Sequence, residues 1–203
     1  MTNQADTLKD FLEISYEKLA EMNIEAYEKS QKRDEKDLAK EYKEYLKNEK
    51  KIKAVTLCFS DIEGRFHMLD YDKNYLLNSL SNLTFDGSSI HGFSEQKESD
   101  LRFEIDWTSI RWTPSDLFGA GKVIVFASVL NEDRSVYESD FRLILKNYLI
   151  NLKKEKNITV FAAPEIEGFL VAGINAEQKY DEKEGFKLLS SSGYFHSLPL
   201  DDL

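Results

Sequence analysis

Two short stretches of this 203-residue sequence carry residue types able to do chemistry. The first is Phe85-Asp86-Gly87-Ser88-Ser89-Ile90-His91-Gly92-Phe93, followed by Glu98-Ser99-Asp100. It joins a polar, glycine-broken loop to a short acidic turn, and Asp-Gly-Ser-Ser is by itself ordinary turn chemistry. The second is Pro164-Glu165-Ile166-Glu167. Alternate residues of an extended strand share a face about 6.5–7 Å apart, so Glu165 and Glu167 would point one way and Ile166 the other. Carboxylates at that spacing can converge on two divalent cations about 3.5–4 Å apart. Mg2+ and Mn2+ prefer such hard oxygen ligands, and two like charges on an apolar strand are unfavourable unless a cation neutralises them. A solvent-facing strand with two surface glutamates is the alternative, and spacing does not choose between them.

The elements that must position these stretches follow from periodicity. Residues 1 to about 50 read as helix, because Leu8, Phe11, Leu12, Tyr16 and Leu19 recur at three- and four-residue steps, as do Leu38, Tyr42, Tyr45 and Leu46. The stretch Glu28 to Asp37 has almost no apolar residue and should bend or expose the helix. This segment is either a solvated arm or a helical hairpin packed by a thin aromatic stripe, or else an oligomer contact. From Ile52 the period changes to two. Val55, Leu57 and Phe59 alternate, Asp61-Ile62-Glu63-Gly64-Arg65 turns, and Phe66 and Met68 resume, which predicts a hairpin. A short helix or turn is expected from Asp72 to Ser81, and strands over Leu101–Asp106 and Val123–Leu130. An amphipathic helix follows over 138–154, with Ser139 or Asp140 as its N-cap. Ile158 to Phe161 is expected to open the strand that carries the two glutamates.

Composition narrows the classes. An apolar content of 41% and an aromatic content of 12% suffice for a real core. A net charge of -10 and a pI near 4.9 argue against a nucleic-acid binder and against adsorption to anionic membranes. Cys58 is the one cysteine, so no internal disulfide forms, which fits a reducing, cytoplasmic compartment. The polar start does not read as a signal peptide, and the longest apolar run, Val123 to Leu130, is too short to span a bilayer.

The first stretch resembles the signature loop of the glutamine synthetase family, F-D-G-S-S-I-x-G-[W/F/Y] and then E-S-D, with every fixed position met. The second is similar to that family's G-P-E-x-E-F-F, with Ala163 for the glycine and Gly168 for an aromatic. Asp140-Phe141-Arg142 resembles its D-P-R with the proline lost, and Ser192-Gly193-Tyr194-Phe195 resembles G-G-Y-F with one glycine replaced. The resemblance implies an α+β fold in three parts. Residues 1–50 are a charged helical extension outside the resemblance, 51–134 a β-grasp domain, and 135–203 the first strand–helix elements of an incomplete α/β catalytic domain. It implies ATP-dependent ligation of ammonia to glutamate through γ-glutamyl phosphate, with Mg2+ or Mn2+ as cofactor and ATP as co-substrate. Asp86 would attract ammonium and take its proton, and Ser89 would help position the loop and the cation. Gly87, Ser88, Gly92 and Asp100 would shape that loop. Glu165 would bind the metal on the nucleotide-phosphate side and Glu167 the metal nearest glutamate. Subunits would form a homo-oligomeric ring in which Asp86 serves its neighbour. The family's remaining metal ligands and most ATP contacts lie beyond Leu203, so the chain is expected to be an N-terminal fragment inactive alone. Two alternatives stay open. One is a non-catalytic assembly or regulatory module for full-length synthetase subunits, and the other is a γ-glutamyl-amine ligase relative.

Overall fold

A computed structural model of the chain describes residues 10–90, 100–165 and 167–189. The chain forms two compact units, Met1–Thr159 and Val160–Leu203. In the first, the charge-rich stretch around residue 33 separates two helices, α1 (Tyr16–Lys32) and α2 (Glu35–Asn48). These form a helical hairpin, and Ala26, Leu38, Tyr42 and Leu46 are buried in the same core as the sheet. The helix does not extend back through residue 10 as the periodicity suggested. Residues 10–15 are extended, and the Ser15 hydroxyl caps α1 by accepting the Lys18 N–H. Leu12 donates its N–H to the Lys51 carbonyl and accepts from the Gly121 N–H, so backbone pairing outcompetes helix here.

The expected hairpin forms from β1 (Ala54–Ser60) and β2 (Phe66–Asp72), with Cys58 opposite Met68. Asp61 builds its turn, since Oδ1 accepts the N–H groups of Glu63 and Arg65, each at 2.9 Å. Helix α3 (Lys73–Asn78), strand β3 (Thr84–Asp86) and strand β4 (Asp100–Ile105) follow. Then come β5 (Arg111–Trp112), α4 (Ser115–Phe118), β6 (Lys122–Leu130) and α5 (Phe141–Lys156). The sheet order is β2-β1-β6-β4-β3, with β5 also on β6. The β1–β6 pair is parallel and the others are antiparallel. Strands β4 and β5 take successive halves of one edge of β6, which curls the sheet. Val55, Leu57, Phe59, Val123 and Val125 fill the core beneath α1 and α2.

Gly121 sits where the extended N-terminal segment meets the sheet. Its φ is +73°, and an added Cβ would lie 2.9 Å from the Lys51 carbonyl oxygen and 2.8 Å from the Phe11 ring. Gly64 has φ +78° but open space around it. We expect Gly121→Ala to destabilise by about 1–3 kcal/mol in chemical denaturation, and Gly64→Ala by less. Equal losses would show that backbone strain alone matters at both glycines.

Helix α5 begins at Phe141, and Asp140 is its cap. One carboxylate oxygen accepts the Leu143 N–H at 2.8 Å, and the other accepts the Val129 N–H at 2.6 Å, tying the helix to β6. Much of its apolar face is open among the described residues. Phe141, Ile144, Leu145 and Tyr148 are exposed, and Leu143 is the buried side chain of this helix. Besides Leu143, polar contacts hold α5: Arg142 and Lys146 lie 2.6 and 3.3 Å from a carboxylate oxygen of buried Asp106. Burial pushes the Asp106 carboxyl up, but the Thr108 hydroxyl and these two cations outweigh it and hold it below the usual carboxylate range.

The second unit contains a small loop structure, with isolated bridges Val171–Leu188 and Asp181–Gly185 and a Tyr180–Phe186 ring contact at 4.8 Å. The strand expected from Ile158 is not formed: residues 158–165 have no regular secondary structure and pair with no strand among the described residues. Phe161 is 89% exposed. A single strand has neither ladder partners nor a packing surface to hold it.

Candidate functional site

The Asp86 loop is built from the core outward. Phe85 stacks on Phe103, with ring centroids 4.3 Å apart and planes 11° from parallel, and it also meets Phe59 at 4.9 Å. Successive strand residues point to opposite faces, so seating Phe85 among these rings turns Asp86 outward. β3 then ends in a single 3-10 turn over Gly87–Ser89, closed by the Ile90 N–H on the Gly87 carbonyl at 3.1 Å.

Asp86 caps that turn itself. Its Oδ1 accepts the Ser88 N–H at 2.9 Å and the Ser88 hydroxyl at 2.6 Å, and its Oδ2 accepts the Ser89 hydroxyl at 2.9 Å. The Ser88 and then the Ser89 hydrogen bonds hold the Asp86 carboxyl below the usual carboxylate range. Asp86 is therefore ionised at neutral pH and exposed, and Oδ2, with one donor, has lone-pair capacity to spare. Gly87 is buried at the start of the turn.

Asp100 occupies a place that loop shape alone did not suggest. In the β3–β4 ladder it lies directly opposite Asp86. Side chains directly opposite in an antiparallel pair share a face, with Cβ atoms about 4.5–5.5 Å apart. Two exposed carboxylates thus stand side by side at the sheet edge, an arrangement that repels unless a cation sits between them. The Asp86/Asp100 register was hidden in the sequence because it depends on how the intervening loop closes. Gly92 lies outside the described residues, as do His91, Glu98 and the segment 192–195.

Glu165 and Glu167 lie in the second unit. Both are exposed, on the unpaired stretch rather than on a strand. Carboxylates are the right donors for a hard divalent cation. Their number falls short, since no three His, Cys, Asp or Glu side chains gather as metal ligands among the described residues. These two glutamates do not by themselves make a metal site.

The glutamine synthetase β-grasp domain family matches residues 51–132. The chain is 31% identical to the glutamine synthetase of Thermotoga maritima over 153 residues, 75% of this chain and 34% of that protein. It is 32% identical to the glutamine synthetase of Staphylococcus epidermidis over 160 residues, 75% of this chain and 33% of that one. The chain thus spans about a third of the length of the curated relatives it matches. The solved Plasmodium falciparum glutamine synthetase superposes with a TM-score of 0.51 and 24% identity, covering 57% of this chain and 22% of that one, which is a likeness of fold. Among the described residues no helix is long and apolar enough to cross a membrane. Fold, signature loop and relatives agree: residues 51–132 form a β-grasp domain of the glutamine synthetase family.

Proposed function

We propose that this chain supplies the ammonia-binding edge of a glutamate–ammonia ligase. In that reaction the glutamate γ-carboxylate attacks the γ-phosphorus of ATP, giving γ-glutamyl phosphate and ADP. Ammonia nitrogen then attacks the γ-carbonyl carbon, phosphate leaves, and glutamine forms. Ammonia is mostly ammonium at neutral pH, so a carboxylate must attract the cation and accept its proton. The observation that carries this reading is the ionised, outward-facing Asp86, with Asp100 opposite it in the ladder.

The exposed setting bears on how such a site would be completed. In water, with its lone pairs shared with Ser88 and Ser89, Asp86 holds a cation better than it removes a proton. A surface closing over the edge would desolvate it and raise its basicity. That supports a site completed by a neighbouring subunit of an oligomer, with Asp86 working in trans and Ser89 keeping it oriented. Glu165 and Glu167 are proposed as two ligands of a divalent cation that would neutralise phosphoryl charge. The other ligands, and the ATP site, would come from outside the described residues.

The chain alone is therefore expected to be inactive. The test is ATP-dependent glutamine formation by the purified chain, with and without a polypeptide supplying the remaining two thirds of a synthetase. No glutamine alone and clear turnover on mixing is the expected result, whereas an ordinary rate from the chain alone contradicts it.

A further inference from the structure

A pocket is lined by residues of the helical hairpin and Trp112, none of which has a part in the proposed ligase site. It is a half-open pocket of about 270 Å³ between α1, α2 and β5. That is below the roughly 300–1,000 Å³ of pockets for drug-sized ligands, so it suits a molecule with one ring and is too small for a nucleotide.

The floor is aromatic. Tyr42 and Tyr45 meet Trp112 edge-on, with centroids 6.3 and 5.6 Å away and planes 65° and 74° apart. The Trp112 indole N–H donates to the Tyr45 hydroxyl at 3.0 Å, which fixes both rings. Asn23 clamps the Trp112 backbone, donating to its carbonyl at 2.9 Å and accepting from its N–H at 3.0 Å. The floor is thus rigid before anything binds.

The rim carries both signs of charge. Lys29 Nζ lies 2.8 Å from Glu25 and 2.8 Å from Glu41, and all three line the pocket. Arg33 pairs with the other oxygen of Glu41, holding that carboxylate from behind. Among the described residues Glu25 makes its ion pair with Lys29, and its side chain is 66% exposed, so it is the rim group that can change partners.

We propose that this pocket binds a zwitterionic α-amino acid with an apolar or aromatic side chain. The side chain enters against Tyr42, Tyr45 and Trp112. The ligand ammonium takes Glu25, and the ligand carboxylate takes the Lys29 valence that Glu25 gives up. Lys29 keeps Glu41 throughout. One internal ion pair is exchanged for two to the ligand, so every charge stays matched. A simple amine would leave Lys29 with one partner fewer, and a carboxylic acid without an amine would leave Glu25 unpaired beside it. Two opposite charges at one mouth therefore select the zwitterion over either half.

Titration calorimetry on the full chain tests this, with L-phenylalanine as the probe and phenethylamine, 3-phenylpropionate and glycine as comparisons. Saturable binding of phenylalanine is expected, at least 10-fold tighter than each comparison. Glu25→Gln and Lys29→Met should each weaken it at least 10-fold with unchanged circular dichroism, since both side chains are on the rim. Trp112→Phe, which keeps a ring but loses the Tyr45 hydrogen bond, should weaken it less. No saturable heat with phenylalanine overturns the proposal. So does equal affinity for phenethylamine, or unchanged binding in the folded Glu25→Gln variant.

Discussion

Asp86→Asn in the reconstituted ligase is expected to lower the rate of glutamine formation about 10²- to 10⁴-fold, the usual worth of a positioned proton acceptor. The substitution is nearly isosteric. An asparagine oxygen can still accept the Ser88 N–H that caps the turn, so the loop should keep its shape. What disappears is the negative charge beside Asp100 and the ability to take a proton. The loss should be largest with ammonium and much smaller with hydroxylamine, which is neutral at working pH and needs no capture as a cation. A structural role would depress both nucleophiles alike. Unchanged turnover with ammonium would remove Asp86 from the chemistry.

The largest effect on folding is expected from Phe103→Ala. Phe103 is 4% exposed and packs against both Phe85 and Phe59. Removing a buried phenylalanine ring costs about 3–5 kcal/mol. It should be accompanied by faster hydrogen exchange at Phe85 and Ser88, because the ring that seats β3 has gone. Tyr27→Ala, on the exposed face of α1, serves as the control. Surface changes of that kind fall within roughly 0.5 kcal/mol. Equal costs at the two positions would mean that the aromatic cluster does not anchor the Asp86 edge.

The sequence made some of this readable and hid the rest for physical reasons. The β1–β2 hairpin was legible because alternation is interrupted once, by Asp61 through Gly64, and the Asp61 carboxylate then satisfies the turn. The N-cap of α5 was legible because an aspartate immediately precedes its apolar period. Residues 10–15 misled because Phe11 and Leu12 fit a helical step, while the Leu12 backbone is claimed by Lys51 and Gly121, which are distant in sequence. The apolar stripe of α5 was legible as a stripe, but its exposure was not, since periodicity does not say whether a partner covers it. The glutamate pair failed in the same way: alternation describes a strand only if neighbours exist to pair with it, and none does among the described residues. The Asp86 loop was visible as a motif, but its pairing with Asp100 and its support by Phe103 depend on register that only the folded sheet supplies.

The most direct measurement is a mixing experiment on two inactive reconstituted preparations, one carrying Asp86→Asn and the other Glu165→Gln. If the carboxylate edge of one subunit completes the phosphoryl-transfer site of the next, mixed oligomers contain interfaces where both halves are intact. Activity should then rise clearly above that of either parent after subunit exchange. Mixed oligomers that form and yet stay as inactive as their parents would contradict a pocket divided between neighbouring chains.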